Sequence, residues 1–103
     1  MNFYIGKSVS DVDPTDENAE FCIELTEYLY SLRSELNAST LLSIDPYADT
    51  VLDSKTTAKL HDECSKLLCA QCITDECKIA LSNLVELLLF ALNKNTGVVV
   101  IGD

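Results

Sequence analysis

Cysteine and histidine offer this sequence its most reactive side chains, and they fall close together. His61 precedes Cys64, Cys69, Cys72 and Cys77. Cys64-x4-Cys69-x2-Cys72 matches the first three positions of plant-type iron–sulfur spacing, and Cys69-x2-Cys72 has the form of half a zinc site. A metal needs the thiolates to converge. On a continuous helix Cys64 shares a face with Leu60 and Leu67, while Cys69 lies about 140° round. No glycine or proline lies between Cys64 and Cys77 to break such a helix. The expectation is therefore no metal and no cofactor; if that is wrong, these four cysteines are the ligands. His61 stands three residues before Cys64 and could act as a base beside a nucleophile. No oxyanion element accompanies the pair, so a boundary histidine next to a core cysteine is the plainer reading. Glycine occurs only at positions 6, 97 and 102, which leaves no phosphate-binding loop. No catalytic residue is expected.

The acidic residues are the other candidates. Seventeen acids face seven bases, a formal charge of −10. Nucleic acids and anionic membranes are bound through Lys and Arg, so both are unexpected partners; the charge favours a basic partner, or no partner and mere solubility. Asp11, Asp13, Asp16, Glu17, Glu20, Glu24 and Glu27 follow one another without an intervening base. On one helix their like-charge neighbours would oppose folding by roughly 1–2 kcal/mol in total. Ile23 and Tyr30 belong to the outer side of that helix, and acids around an exposed aromatic resemble a protein interface. A solvated face with Ile23 and Tyr30 packed on loops is the alternative. Glu17, Glu20, Glu24, Glu27 and Tyr30 are the candidate contacts, with Asp45, Tyr47 and Asp49 as a second patch. Asp45, Asp49 and Asp53 recur every four residues, but Pro46 interrupts a helix through them, and turn formation or capping accounts for them as well.

The elements that must position these residues can be read from periodicity. Asn2–Ile5 reads as a strand stopped by Gly6. Asp13-Pro14 reads as the start of a helix, with Asp13 as N-cap. Phe21, Leu25, Tyr28, Leu29, Leu32 and Leu36 give that helix an apolar face through about Leu36. Thr40 to Ile44 could be a strand, Asp45-Pro46 is a turn, and Val51-Leu52 is a short helix or an edge. A second helix runs from about Thr56 to near Cys72. A third begins at Thr74 or Asp75, with Asp75, Lys78, Ser82, Asn83, Glu86 and Asn93 in one narrow polar strip. A helix so apolar belongs at the centre of the fold, or partly in a dimer interface, with Leu88 as the residue to change. Asn95-Thr96-Gly97 makes a turn, and Val98–Ile101 is a strand. The expected class is α+β or α/β. Residues 1–103 form one domain of three main helices and a two- to three-stranded sheet built from the terminal segments, with 40 to 44 as an optional member.

Apolar residues make up 48% of the chain, enough for a core. The stretch from Ile79 to Leu92 is too short and polar to span a bilayer. An odd number of cysteines and no signal-like N-terminus suit reduced thiols, and the expected location is cytoplasmic.

Ser43-Ile44-Asp45-Pro46-Tyr47-Ala48-Asp49-Thr50-Val51, together with Val98 to Asp103, resembles a loose set of small bacterial proteins. They share a D-P-Y-x-D-T core and a hydrophobic strand ending in Gly-Asp. Some of them look like immunity proteins of polymorphic or contact-dependent toxin systems. The resemblance covers two short pieces of the chain. It implies a non-enzymatic inhibitor that binds a toxin, often a basic nuclease. The expected function is thus a protein-binding module that masks the active or substrate-binding surface of a basic toxin. The alternatives are a cysteine-cluster metal or redox protein and a homodimeric structural subunit joined through residues 75–93.

Overall fold

The computed structural model describes residues 1–103. Strand β1 (Asn2–Ile5) pairs antiparallel with β4 (Val98–Ile101). β2 (Asn18–Glu20) and β3 (Thr50–Leu52) add to the two sides, giving an antiparallel sheet of order β2-β1-β4-β3. Register follows the apolar alternation. Phe3 opposes Ala19 on one side and Val100 on the other, and Val98 opposes Leu52. These residues share the face that joins the hydrophobic core. Tyr4 and Val99 point to the opposite face and are nevertheless buried. Beyond β1, a Cβ placed on Gly6 would meet the side chains of Val12 and Val99 at 3.5 Å, ordinary van der Waals contact.

Four helices complete the fold: α1 (Ile23–Ser31), α2 (Ser39–Leu42), α3 (Ser54–Leu67) and α4 (Asp75–Asn93). Two of them start on side-chain caps. Asp53 accepts the Thr56 N–H at 2.7 Å to open α3, and Thr74 accepts the Cys77 N–H at 3.2 Å to open α4. α4 packs against α3 on one side and against β1 and β2 on another. Its Leu81, Leu84, Leu88 and Ala91 are fully buried, as its apolar girth requires. The left-handed Asn95 (φ 52°) ends this helix, and the chain turns directly into β4. The Thr74 start, the Asn95 turn and the pairing of the terminal strands agree with the sequence reading.

Three expectations need correction. No helix begins at Pro14. The Asp13 carboxylate instead accepts the Thr15 N–H (2.9 Å) and hydroxyl (2.8 Å), and Asp16 N–H donates to the Asp13 carbonyl, closing a turn. Asn18–Glu20 is then drawn into the sheet, because alternation places Ala19 in the core and Phe21 follows it there. The helix covers only Ile23–Ser31, and looser turns carry the apolar stripe on to Leu36. The second correction concerns residues 40 to 44, which form no strand. Ser39–Leu42 is a short helix, and the sheet takes β2 and β3 in place of that segment. Last, α3 ends at Leu67, so Cys69 and Cys72 lie on the turn that follows it.

Candidate functional site: an acidic cleft edged by tyrosines

The candidate site forms where α1 passes α2 and the turn after it. From α1 come Ile23, Glu27 and Tyr30; from α2 and the turn come Leu42, Asp45 and Tyr47. They line a cleft of about 470 Å³, within the range of roughly 300–1,000 Å³ typical of binding pockets. Ile23, Leu41, Leu42 and Ile44 give it apolar lining, and Glu27 and Asp45 contribute exposed carboxylates. Tyr30 is 54% exposed and Tyr47 66%, although both are large and partly apolar. A second hollow of about 370 Å³ shares Ile23 and Tyr47 and adds Glu20, Cys22 and Asp103. The two form one surface centred on Ile23 and Tyr47.

The local sequence explains this arrangement. Asp45 accepts the Tyr47 N–H at 2.9 Å, an Asx turn that swings Tyr47 outward. Behind it, Asp49 accepts the Gly102 N–H at 3.0 Å and the Asp103 N–H donates to the Pro46 carbonyl at 2.9 Å. Gly102 lies flat on this turn: a Cβ there would come within 2.5 Å of the Tyr47 carbonyl carbon and the Ala48 nitrogen. The buried Met1 ammonium completes the clasp, donating to the Phe21 carbonyl and the Asp103 carboxylate, both at 2.8 Å. The two sequence pieces of the D-P-Y-x-D-T and Gly-Asp pattern therefore meet in space. Their contacts hold the turn that carries Tyr47.

α2 is held from elsewhere. The Glu63 carboxylate, on α3, accepts the N–H groups of Thr40 and Leu41 at 3.0 to 3.2 Å. α2 has no side-chain cap of its own, so Glu63 supplies one from another element.

The candidate residues separate as follows. Glu27, Tyr30, Asp45 and Tyr47 come together in the main cleft, and Glu20 lines the adjoining hollow. Glu24 is exposed on α1 one turn before Glu27 and does not line the cleft. Glu17 lies apart, near Asn83, Glu86 and Phe90 of α4. Asp49 belongs to the turn clasp. Of the expected like-charge helix pairs only Glu24–Glu27 remains on a helix, and Asp11, Asp13 and Asp16 accept backbone N–H groups in turns. The expected helical strain is therefore largely absent. Leu42 and Ile44 were not among the expected site residues, because Thr40 to Ile44 was read as a possible strand of the sheet.

No Lys or Arg nitrogen lies within 4.0 Å of a carboxylate oxygen; the ion pairs are Met1–Asp103 and the longer His61–Asp62 contact at 3.8 Å. The single arginine, Arg33, sits over the Tyr30 ring at 4.5 Å and donates from Nη1 to the Tyr30 carbonyl.

The cysteines do not gather. Cys64 and Cys77 are buried in the core, Cys69 and Cys72 are exposed, and Cys22 is half-buried. No three His, Cys, Asp or Glu side chains converge as metal ligands would. Burial, with smaller contributions from Glu63 and Cys77, pushes the Cys64 thiol up to about 12. Burial also raises Cys77, with Glu76 adding to the effect. Neither is set up as a nucleophile in the folded chain. No helix is long and apolar enough to cross a membrane.

Comparison with protein-family models, curated proteins and solved structures returns no match, so the roles of these residues rest on their own geometry.

Proposed function

We propose that the protein is a binding module whose cleft between α1 and α2 receives a basic protein. In this reading it is an immunity-type inhibitor that masks the active or substrate-binding surface of a basic toxin. The observation that carries it is the joining of Glu20, Glu27 and Asp45 around half-buried Ile23 and exposed Tyr30 and Tyr47, with none of those carboxylates neutralised by the chain's own bases. Aromatic anchors supply contact area, and uncompensated acids steer a cationic partner. A standard interface takes about 800 Å² from each partner, against 5941 Å² of accessible surface here. The protein needs no catalytic group of its own for this role.

The test is association kinetics with the basic toxin that the chain protects against, sought first in the adjacent gene. Reversing Glu20, Glu27 and Asp45 to Lys should slow association about tenfold or more at low salt and flatten its salt dependence. Unchanged kinetics would remove the proposal.

A homodimer through α4 is the second reading, favoured by Ile79 (65% exposed) and Phe90 (61%) on its outer side. Leu88 cannot test it, because Leu88 is fully buried within the monomer and its replacement would disrupt the core. Phe90→Ser, followed by sedimentation, is the appropriate experiment; a wild-type monomer would end this reading.

A further inference from the structure

We infer that the cleft is a seat for an arginine side chain of the partner, its stem on Ile23 and Leu42 and its guanidinium among Tyr30, Tyr47, Glu27 and Asp45. This rests on the proposed binding of a basic protein and specifies which basic group is recognised. Three observations converge on it. The cleft combines apolar side chains from Ile23, Leu41, Leu42 and Ile44 with the exposed carboxylates of Glu27 and Asp45, which suits a cation on a long hydrocarbon stem. Glu27 and Asp45 have no Lys or Arg partner in the chain, leaving their charge available to a planar, bidentate donor. The third observation is internal. Arg33 already lies on the Tyr30 ring at 4.5 Å, which shows that this ring accepts a guanidinium. Arg33 is not among the residues that line the cleft. Lysine is the weaker occupant, because a compact, strongly hydrated ammonium neither stacks nor binds two carboxylate oxygens at once.

The probe is a pair of capped nine-residue peptides of equal charge, Gly-spaced, one carrying arginines and the other lysines. Each is titrated at low salt into the intact protein, reading the methyl signals of Ile23 and Leu42 by NMR. The arginine peptide should bind roughly tenfold more tightly and shift those methyls. Tyr30→Leu should abolish the preference, and Glu27→Gln with Asp45→Asn should weaken both peptides. Tyr30 is exposed, so circular dichroism of the Leu variant should match the parent. Equal affinity for both peptides, or a preference that survives Tyr30→Leu, overturns the arginine seat and leaves the charge-based reading intact. Binding of neither peptide at low salt overturns both.

Discussion

Cys64 and Cys77 lie in the core with raised thiol pKa values, whereas Cys69 and Cys72 face solvent. Alkylation of the folded protein should therefore modify Cys69 and Cys72 quickly and Cys22 slowly. Cys64 and Cys77 should react only after unfolding, which intact mass measurement will resolve. The same buried thiols set an alkaline limit. A folded pKa above the unfolded value of 9.0 gives stability that is full below pH 9 and lost as pH rises toward about 12 for Cys64. Asp13 and Asp53 act in the opposite sense. Hydrogen bonds from Thr15 and Thr56 hold both carboxyls below their ordinary 3.8. Their contribution is therefore full above 3.8 and lost as pH falls through the folded values. Thermal melts across pH should show both flanks, and Asp53→Asn should diminish the acid one.

Among the elements, α2 depends most on a distant residue. Glu63→Ala removes the acceptor for the Thr40 and Leu41 N–H groups, and charged hydrogen bonds of this kind are worth about 1.5–3 kcal/mol. A loss of that size in denaturant melts is expected, with the Thr40 and Leu41 amides exchanging faster. Gly97→Ala should cost on the order of 2 kcal/mol or more, because the added Cβ would collide with the Leu52 carbonyl oxygen where β3 meets β4. The legibility of each element follows from where its cause lies. α4 carried its own cap, periodicity and stop, and its expected start and end turn were those found. β2 and α2 were missed because long-range partners decide them. β2 forms against β1, although the alternation Asn18-Ala19-Glu20-Phe21 was already a strand signal. α2 depends on Glu63, 22 to 23 residues away. The acids and tyrosines of the cleft were readable as types, but their grouping was not. Asp13-Pro14 imitates a helix start, and the helix drawn from it placed Glu17 beside Glu20 and Glu20 beside Glu24.

At the scale of the whole molecule, a formal charge of −10 without Lys or Arg ion pairs is self-repelling. Sodium chloride raised from about 10 mM to 500 mM should therefore stabilise the fold by about 1 kcal/mol, a rise in Tm of roughly 4–8 °C for a domain of this size. A melting temperature independent of salt would show that the charges are already balanced by their solvation. The sheet order has a consequence for synthesis. β1 lies at the middle of the sheet, yet its partner β4 emerges from the ribosome roughly ninety residues later. β2 follows within some fifteen residues and can cover one edge, but for some seconds the other edge of Asn2–Ile5, rich in aromatic and branched side chains, lacks its partner. Such a segment invites intermolecular pairing. The uninterrupted carboxylates that follow it keep neighbouring nascent chains apart, as charged gatekeepers do beside other exposed strands, until Val98–Ile101 arrives and closes the edge.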